Sequence, residues 1–365
     1  MSEWSATDEQ HMRHALGLAA LGINTTDPNP RVGCVLVRAG RVVGEGWHER
    51  AGAAHAEVLA LHSAGHEARG ATAYVSLEPC AAHGRTPPCT EALIAAGVAR
   101  VVYAADDPNP KMSAGAQRMR AAGIDIAAGL LAAEARALNV GFFSRHERNL
   151  PWVRVKLGVS LDGRTALANG ESRWITAKQA RADAQLFRAR SSVVLTGVGT
   201  VLADDPALNV RLEGASRQPL RVVLDSQLRV PTSARMFGRE GAAAVFTAAN
   251  DAPRRAALEK LGVSIEQVPA ASGGGVDLAA VLRRLVALEA NEVWVEAGPR
   301  LAGALLAARL VDELVIYLAP CLLGPQAQPL AQLPEIRRLD ERSKWRYESV
   351  ERVGDDLRLI ARPER

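Results

Sequence analysis

The stretches His55-Ala56-Glu57 and Pro79-Cys80, with Cys89 beyond them, decide the reading of the first half of the chain. One imidazole and two thiolates supply three ligands of a tetrahedral zinc site, and the open fourth position holds a water. Zinc lowers the pKa of that water towards ~7, so hydroxide becomes available near neutral pH. Glu57, close behind His55, is placed to carry protons to and from the water without binding the metal.

The order H-x-E then P-C marks zinc-dependent base deaminases. One detail departs from the common form. Residues 81–88 separate Cys80 from Cys89, where the usual signature is C-x-x-C. Two plainer readings compete: small core thiols, or a Cys80–Cys89 disulfide. Four cysteines in 365 residues are sparse for a disulfide scaffold, and neither reading accounts for the flanking His, Glu and Pro. Cys34 and Cys321 lie in apolar runs and are expected in cores.

A chain of 365 residues exceeds one typical core, so two domains are expected. The hydrophobic share of 48% is ample for packed interiors, and the aromatic share of 4% makes those interiors rich in Ala, Val and Leu. A net charge of +4 suits phosphorylated small molecules. No dense Lys/Arg stripe argues for a nucleic-acid partner. The polar start, residues 1–14, has no apolar signal core, and no run reaches the ~18 apolar residues of a membrane span. A reducing, cytoplasmic setting agrees with thiolate ligands.

The hydrophobic pattern predicts a helix over 8–21 capped by Asp8, strands over 32–37 and 41–46, and a helix from His55 to about Ala64. A strand over 73–77 runs into Pro79-Cys80, a helix follows over 91–96 and a strand over 100–105. A helix and short strand over 119–126 and a last helix over 132–143 complete a three-layer α/β sandwich. The charged, proline-closed run 146–151 marks a break, giving domains 1–148 and 149–365.

The second half restarts with a strand over 152–158, a helix over 177–190 capped by Thr176, and strands over 192–196, 220–224, 243–247 and 293–295. A helix over 301–309 and strands over 313–318, 345–353 and 357–361 follow. Asp-Pro-Asn-Pro at 27–30 and 107–110 reads as two similar turns. Leu161-Asp162-Gly163-Arg164 reads as a turn, and 272–275 as a loop. Val295-Glu296-Ala297-Gly298-Pro299 before Leu301-Ala302-Gly303 is a strand, a glycine turn and a helix start, which serves either as a phosphate cradle or as plain packing. Asp225 follows a strand, but the glycine fingerprint of a dinucleotide fold is missing. Taken alone, these residues imply an α/β domain that binds a nucleotide.

The sequence resembles the bifunctional deaminase–reductase family of riboflavin biosynthesis. The resemblance rests on His55-Ala56-Glu57 with residues 78–89, on Asn29-Pro30-Arg31-Val32-Gly33, Gly46-Trp47-His48 and residues 70–75. In the second half it rests on residues 156–164, Gly170-Glu171-Ser172, Trp174-Ile175-Thr176, residues 202–206 and residues 295–299. The long gap between the cysteines is that family's form. The resemblance implies a cytidine-deaminase-like α/β/α domain followed by a dihydrofolate-reductase-like α/β domain. It further implies a bifunctional cytoplasmic enzyme with Zn²⁺ and NADPH. The first domain would deaminate 2,5-diamino-6-ribosylamino-pyrimidinone 5'-phosphate, and the second would reduce its ribosyl chain to ribityl.

Carried over residue by residue, the resemblance makes His55, Cys80 and Cys89 zinc ligands and Glu57 the proton shuttle. Asn29, His48, His83 and Arg85 would hold base and phosphate, with Arg85 standing where relatives often have Lys. Ser172, Arg188, Leu208, Arg211 and Glu296 correspond to reductase substrate positions. Gly158, Trp174, Thr200, Asp204, Ser226, Gly298, Pro299, Arg300, Leu301, Ala302, Gly303 and Ala304 correspond to cofactor positions. Lys156 and Glu296 are candidates for assisting protonation, and Ser226 would favour NADPH over NADH. A small-molecule substrate and a homo-oligomer, dimer or tetramer, are expected, with no nucleic-acid or membrane partner. The competing readings are a zinc-dependent nucleoside or nucleic-acid deaminase with a non-catalytic C-terminal domain, and a non-enzymatic zinc-binding regulator in which Glu57 is idle.

Overall fold

The computed structural model describes residues 4–83 and 87–364. They form two compact units, Met1–Asn149 and Leu150–Arg365. In the first, helix α1 (Ala6–Leu21) precedes a hairpin of β1 (Gly33–Arg38) and β2 (Arg41–Trp47). Next come α2 (Ala56–Ala64), β3 (Thr72–Leu77), α3 (Cys89–Ala96), β4 (Arg100–Ala105) and α4 (Gly115–Ala121). The unit closes with β5 (Asp125–Ala128), α5 (Ala132–Leu138) and α6 (Val140–Arg148). The sheet order is β2-β1-β3-β4-β5, with β1 antiparallel to both neighbours and β3, β4 and β5 parallel.

Successive strand residues face opposite sides of the sheet, so each strand feeds two cores. Leu36, Ala73, Val75 and Val101 pack with Ala56, Ala60 and Leu93 of α2 and α3. Val35, Tyr74 and Val102 pack with Met12, Ala15 and Phe142 of α1 and α6. The expected α/β/α sandwich results. Two close approaches then aim the site. A Cβ on Gly46 would lie 2.7 Å from Ala60 N, and one on Gly115 would lie 1.9 Å from Pro79 O. Bare glycine lets α2 lie directly on β2 and lets α4 press on the Pro79-Cys80 turn.

Several boundaries differ from the sequence expectation. Ser5, not Asp8, caps α1. Asp8 is the third helical residue, and its N–H donates to Ser5 Oγ at 3.0 Å while its carboxylate takes the Ser5 N–H. This is a capping box. The helix over 132–143 is two helices meeting at Asn139, whose side chain turns inward to bond both backbone groups of Arg31. The charged run at 146–148 is the last turn of α6, where basic residues suit the helix dipole, so the first unit ends at Asn149.

The second unit comprises β6 (Trp152–Ser160), β7 (Arg164–Ala166), α7 (Lys178–Arg190), β8 (Val193–Gly197), α8 (Val198–Asp204), β9 (Leu220–Leu224) and β10 (Ala243–Thr247). These are followed by α9 (Ala252–Glu259), β11 (Ser264–Gln267), α10 (Leu278–Ala287), β12 (Glu292–Glu296), α11 (Pro299–Ala307) and β13 (Glu313–Ala319). The last elements are β14 (Gln328–Pro329), β15 (Trp345–Val353) and β16 (Asp356–Pro363). Among the described residues the main sheet has nine strands in the order β11-β10-β9-β8-β12-β6-β13-β16-β15. It is parallel from β11 through β13 and antiparallel at β16 and β15. Strands buried on both faces read as unbroken apolar runs. Val193, Leu195, Val293 and Val295 enter one core, and Val194 and Trp294 the other.

Three expectations are corrected here. Helix α7 starts at Lys178 and Thr176 does not cap it: Ala177 holds that place, and its N–H is taken by Asp356 at 2.7 Å. Helix α11 starts at Pro299, directly after Gly298. Cys321 is half-buried rather than a core residue, because it lies in the irregular chain past β13. Helices α8 and α9 and strands β7, β11 and β14 carry short or polar patterns that gave no signal in the sequence, whereas α10 does carry one, an apolar stripe of Val281, Leu282 and Leu285 behind the cap Asp277.

Candidate active sites

In the first unit the donor atoms of His55, Cys80 and Cys89 all lie within 4.8 Å of one another. His55 Nδ1 is 3.1 Å from Cys89 Sγ and 3.7 Å from Cys80 Sγ. Ligands around a tetrahedral zinc sit about 3.5 Å apart, so this set fits the ion without rearrangement. His55 is the N-cap of α2, and Cys89 is the first residue of α3. The positive ends of two helix dipoles therefore converge on the sulfurs. The Cys89 N–H reaches Cys80 Sγ at 3.3 Å. Hydrogen bonding from Cys89 holds the Cys80 thiol down to about 4 and drives that of Cys89 upward. A divalent ion held between them would keep both sulfurs as thiolates.

Glu57 sits in the first turn of α2 and is 3% exposed. Burial pushes its carboxyl up, with the His55 charge opposing. Beside it, His48 Nδ1–H donates to Ala54 O at 3.0 Å, which leaves Nε2 to accept from Asn29 Nδ2 at 3.0 Å. Burial lowers the proton affinity of His48. The His48 and His55 rings meet edge to face at 5.3 Å. Asn29 is held in turn through its neighbour Arg31, which is pinned to Asn139 and to Leu138 O. His83 is exposed, and Arg85 lies outside the described residues.

Glu78 carries no sequence signal beyond its place in a motif. It is buried, and its carboxylate takes the N–H groups of Ala116 at 2.9 Å and Asp107 at 3.3 Å. It thereby ties the chain beyond β4 to the end of β3, next to Cys80. Asp107, expected only as part of a turn, is pushed up to about 7 by burial, with Glu78 and Cys80 adding to the effect. A glutamate directly before Pro-Cys was the one available signal.

In the second unit Lys156, Arg188 and Glu296 come together around β6, α7 and β12, with Glu296 at the carboxyl end of its strand, the usual ligand side of such sheets. Lys156 and Glu296 are register partners on β6 and β12. Arg188 grips Glu296 with Nε and, at 2.8 Å, with Nη2, while Trp294 Nε1 donates to the same carboxylate at 2.8 Å. Despite burial, the Arg188 charge holds the Glu296 carboxyl down to about 2. Burial lowers the proton affinity of Lys156; Glu296 opposes this, and the charges of Arg188 and Arg181 add to it. A Cβ on Gly158 would meet Thr176 Cγ2 at 3.2 Å and Lys156 Nζ at 3.5 Å. Trp174 is 69% exposed, and neighbouring Arg173 donates to Asp204 O at 2.6 Å.

Other positions lie further apart. Thr200 is on α8 and Ser226 just past β9, two strands from β12. Leu208 keeps its side chain in the core, which leaves its backbone for any ligand. Ser172 is half-buried in the chain before α7. Gly298 is the exposed N-cap of α11, followed by Pro299, exposed Arg300, Leu301, Ala302, Gly303 and Ala304. Gly303 serves close packing, since a Cβ there would lie 2.0 Å from Gln332 O. Asp225 is fully buried and accepts the Val230 N–H at 2.7 Å, so it builds a turn rather than facing a ribose.

Comparison with known proteins agrees with both halves. Residues 5–105 match the cytidine and deoxycytidylate deaminase zinc-binding region, and residues 151–359 match the RibD C-terminal domain. The molecule is an enzyme of two parts, a zinc-binding deaminase continued into a reductase. The riboflavin biosynthesis protein RibD of Escherichia coli is 48% identical, over 96% of this chain and 98% of that protein. RibD of Haemophilus influenzae is 45% identical, over 100% of this chain and 99% of that one. Acinetobacter baumannii RibD superposes with a TM-score of 0.92 at 40% identity, covering 98% of this chain and 99% of that one. A Thermotoga maritima diaminohydroxyphosphoribosylaminopyrimidine deaminase/5-amino-6-(5-phosphoribosylamino)uracil reductase superposes at 0.88 with 32% identity, covering 98% and 99%. The chain belongs to the RibD family of riboflavin biosynthesis proteins.

Proposed function

We propose that residues 1–148 deaminate 2,5-diamino-6-ribosylamino-pyrimidinone 5'-phosphate and that residues 149–365 reduce the ribosyl chain of the product to ribityl phosphate with NADPH. The observation that carries this reading is the buried Glu57 beside a complete His55–Cys80–Cys89 donor set, on a chain whose second half holds its own charged site. Zinc bound there supplies a water acidic enough to act as nucleophile near neutral pH. Glu57 takes a proton at its carboxylate and returns it to the departing amine, so ammonia leaves. His48 and Asn29 hold the pyrimidine, and His83 and Arg85 hold its phosphate.

In the reductase half the dinucleotide supplies the reducing electrons. Gly158, Trp174, Thr200, Asp204, Ser226 and the start of α11, residues 298–304, cradle it. Ser172, Arg188, Leu208, Arg211 and Glu296 hold the ribotide. Lys156, poised next to Glu296, delivers the proton that the opened sugar's oxygen takes up. The enzyme works in the cytoplasm, where thiolate ligands stay reduced. Among the described residues no helix is long and apolar enough to cross a membrane. It assembles as a homo-oligomer; Tyr347 and Val350 on edge strand β15 expose apolar surface that a second copy would cover.

The test supplies the diaminopyrimidinone ribotide to zinc-loaded protein and follows ammonia, then adds NADPH and follows nicotinamide absorbance. Ammonia followed by NADPH oxidation is expected. No ammonia overturns the deaminase reading, and ammonia without NADPH oxidation overturns the reductase reading.

A further inference from the structure

Arg181, Gln185 and Arg188 stand at i, i+4 and i+7 on α7, which puts them on one face of the helix. Each grips a different piece of the reductase site. Arg188 holds Glu296. Arg181 lays its guanidinium over the Trp174 ring at 4.2 Å and donates from Nη1 to Thr176 O at 2.6 Å. Gln185, 7% exposed, accepts the Arg211 N–H at 2.9 Å, while Arg188 Nη1 donates to Asn209 O at 2.9 Å. The chain at 209–211 is thereby clamped to α7, with Gln218 holding Val210 as well.

Resting on the reductase reading above, we propose that Arg181 and Gln185 are positioning residues, Arg181 fixing Trp174 as the cofactor's aromatic platform and Gln185 fixing Arg211 for the ribotide phosphate. An exposed indole and an exposed arginine each lose rotamer freedom when a ligand orders them, and prior anchoring removes that cost from binding. The planar guanidinium stacks on the indole and at the same time ties down the backbone next to it. Gln185 acts through the backbone, so it sets where the Arg211 side chain starts without touching the ligand. One helix face therefore divides its work between two ligands.

The test compares Arg181→Leu and Gln185→Leu in full-length, zinc-loaded protein, measuring the reductase KM for NADPH and for the deaminated ribotide separately. Arg181→Leu should raise the NADPH KM about five- to tenfold and leave the ribotide KM within about twofold. Gln185→Leu should do the reverse, and Gln185→Glu, which keeps the accepting oxygen, should restore most of the ribotide KM. Melting temperatures verify folding, and Gln185→Met replaces the leucine variant if that one does not fold. Both KM values rising together, or neither rising, overturns the inference and leaves the reductase reading standing. Wild-type protein without NADPH turnover overturns the reading and the inference with it.

Discussion

Arg188 and Glu296 form a two-pronged ion pair across α7 and β12, with side chains 9% and 19% exposed. Both charges are largely out of water, so each depends on the other for compensation. Glu296→Gln leaves the guanidinium without a counter-charge. The expected cost is roughly 3 kcal/mol in the second unit, with loss of reduction and retention of deamination. Denaturant melts and the two assays run side by side check this; unchanged stability would contradict it.

The same pair sets an acid limit. The Glu296 carboxyl is held down to about 2 in the folded protein, against about 4.3 in an unfolded chain. A depressed carboxyl stabilises the fold above its unfolded pKa and loses that contribution as pH falls through the folded value. Stability should therefore fall by about 3 kcal/mol between roughly pH 5 and pH 1, and Glu296→Gln should flatten that part of the curve. Urea midpoints taken across this range test it.

Zinc content and deamination should separate. Cys80→Ala and Cys89→Ala should lose the metal and the deaminase activity together, because two protein ligands cannot close the site. Glu57→Gln should keep stoichiometric zinc while the ammonia rate falls about 10²- to 10⁴-fold. Metal analysis beside the rate assay distinguishes the two classes. An active Glu57→Gln would return Glu57 to the idle role of a non-catalytic zinc protein.

Gly115→Ala tests the support beneath the cysteines. Its Cβ would land 1.9 Å from Pro79 O, and backbone cannot move aside as a side chain does. Destabilisation of roughly 1–3 kcal/mol is expected, together with weaker zinc retention against a chelator, because Cys80 moves with Pro79. Normal zinc retention in a destabilised variant would show that the turn tolerates the shift.

Ser226→Asp tests cofactor choice. A carboxylate beyond β9 would repel a 2'-phosphate, so kcat/KM for NADPH should fall at least tenfold while that for NADH changes little. An unchanged ratio would remove Ser226 from the cofactor site.

The sequence by itself determined the metal chemistry. His55, Glu57, Cys80 and Cys89 lie at element ends, where local caps and turns set their direction, and those are short-range properties. It also determined the central strands of both sheets, because apolar runs such as 193–195 and 293–295 have one stable place, between two cores, whereas the short, half-exposed edge strand β11 left no such run. Boundaries were less legible where a distant partner decided them. Asn139 splits one apolar helix pattern into two because Arg31 needs its side chain, and Asp356 takes the N–H that Thr176 was expected to arrange around. Only the tertiary structure decided that Glu78 braces the chain beside Cys80 and that α7 grips Trp174, Arg211 and Glu296 from a single face. Except for Arg181 on exposed Trp174, those contacts join residues well separated in the chain, and the burial that strengthens them exists only once the sheet and its helices have closed around them.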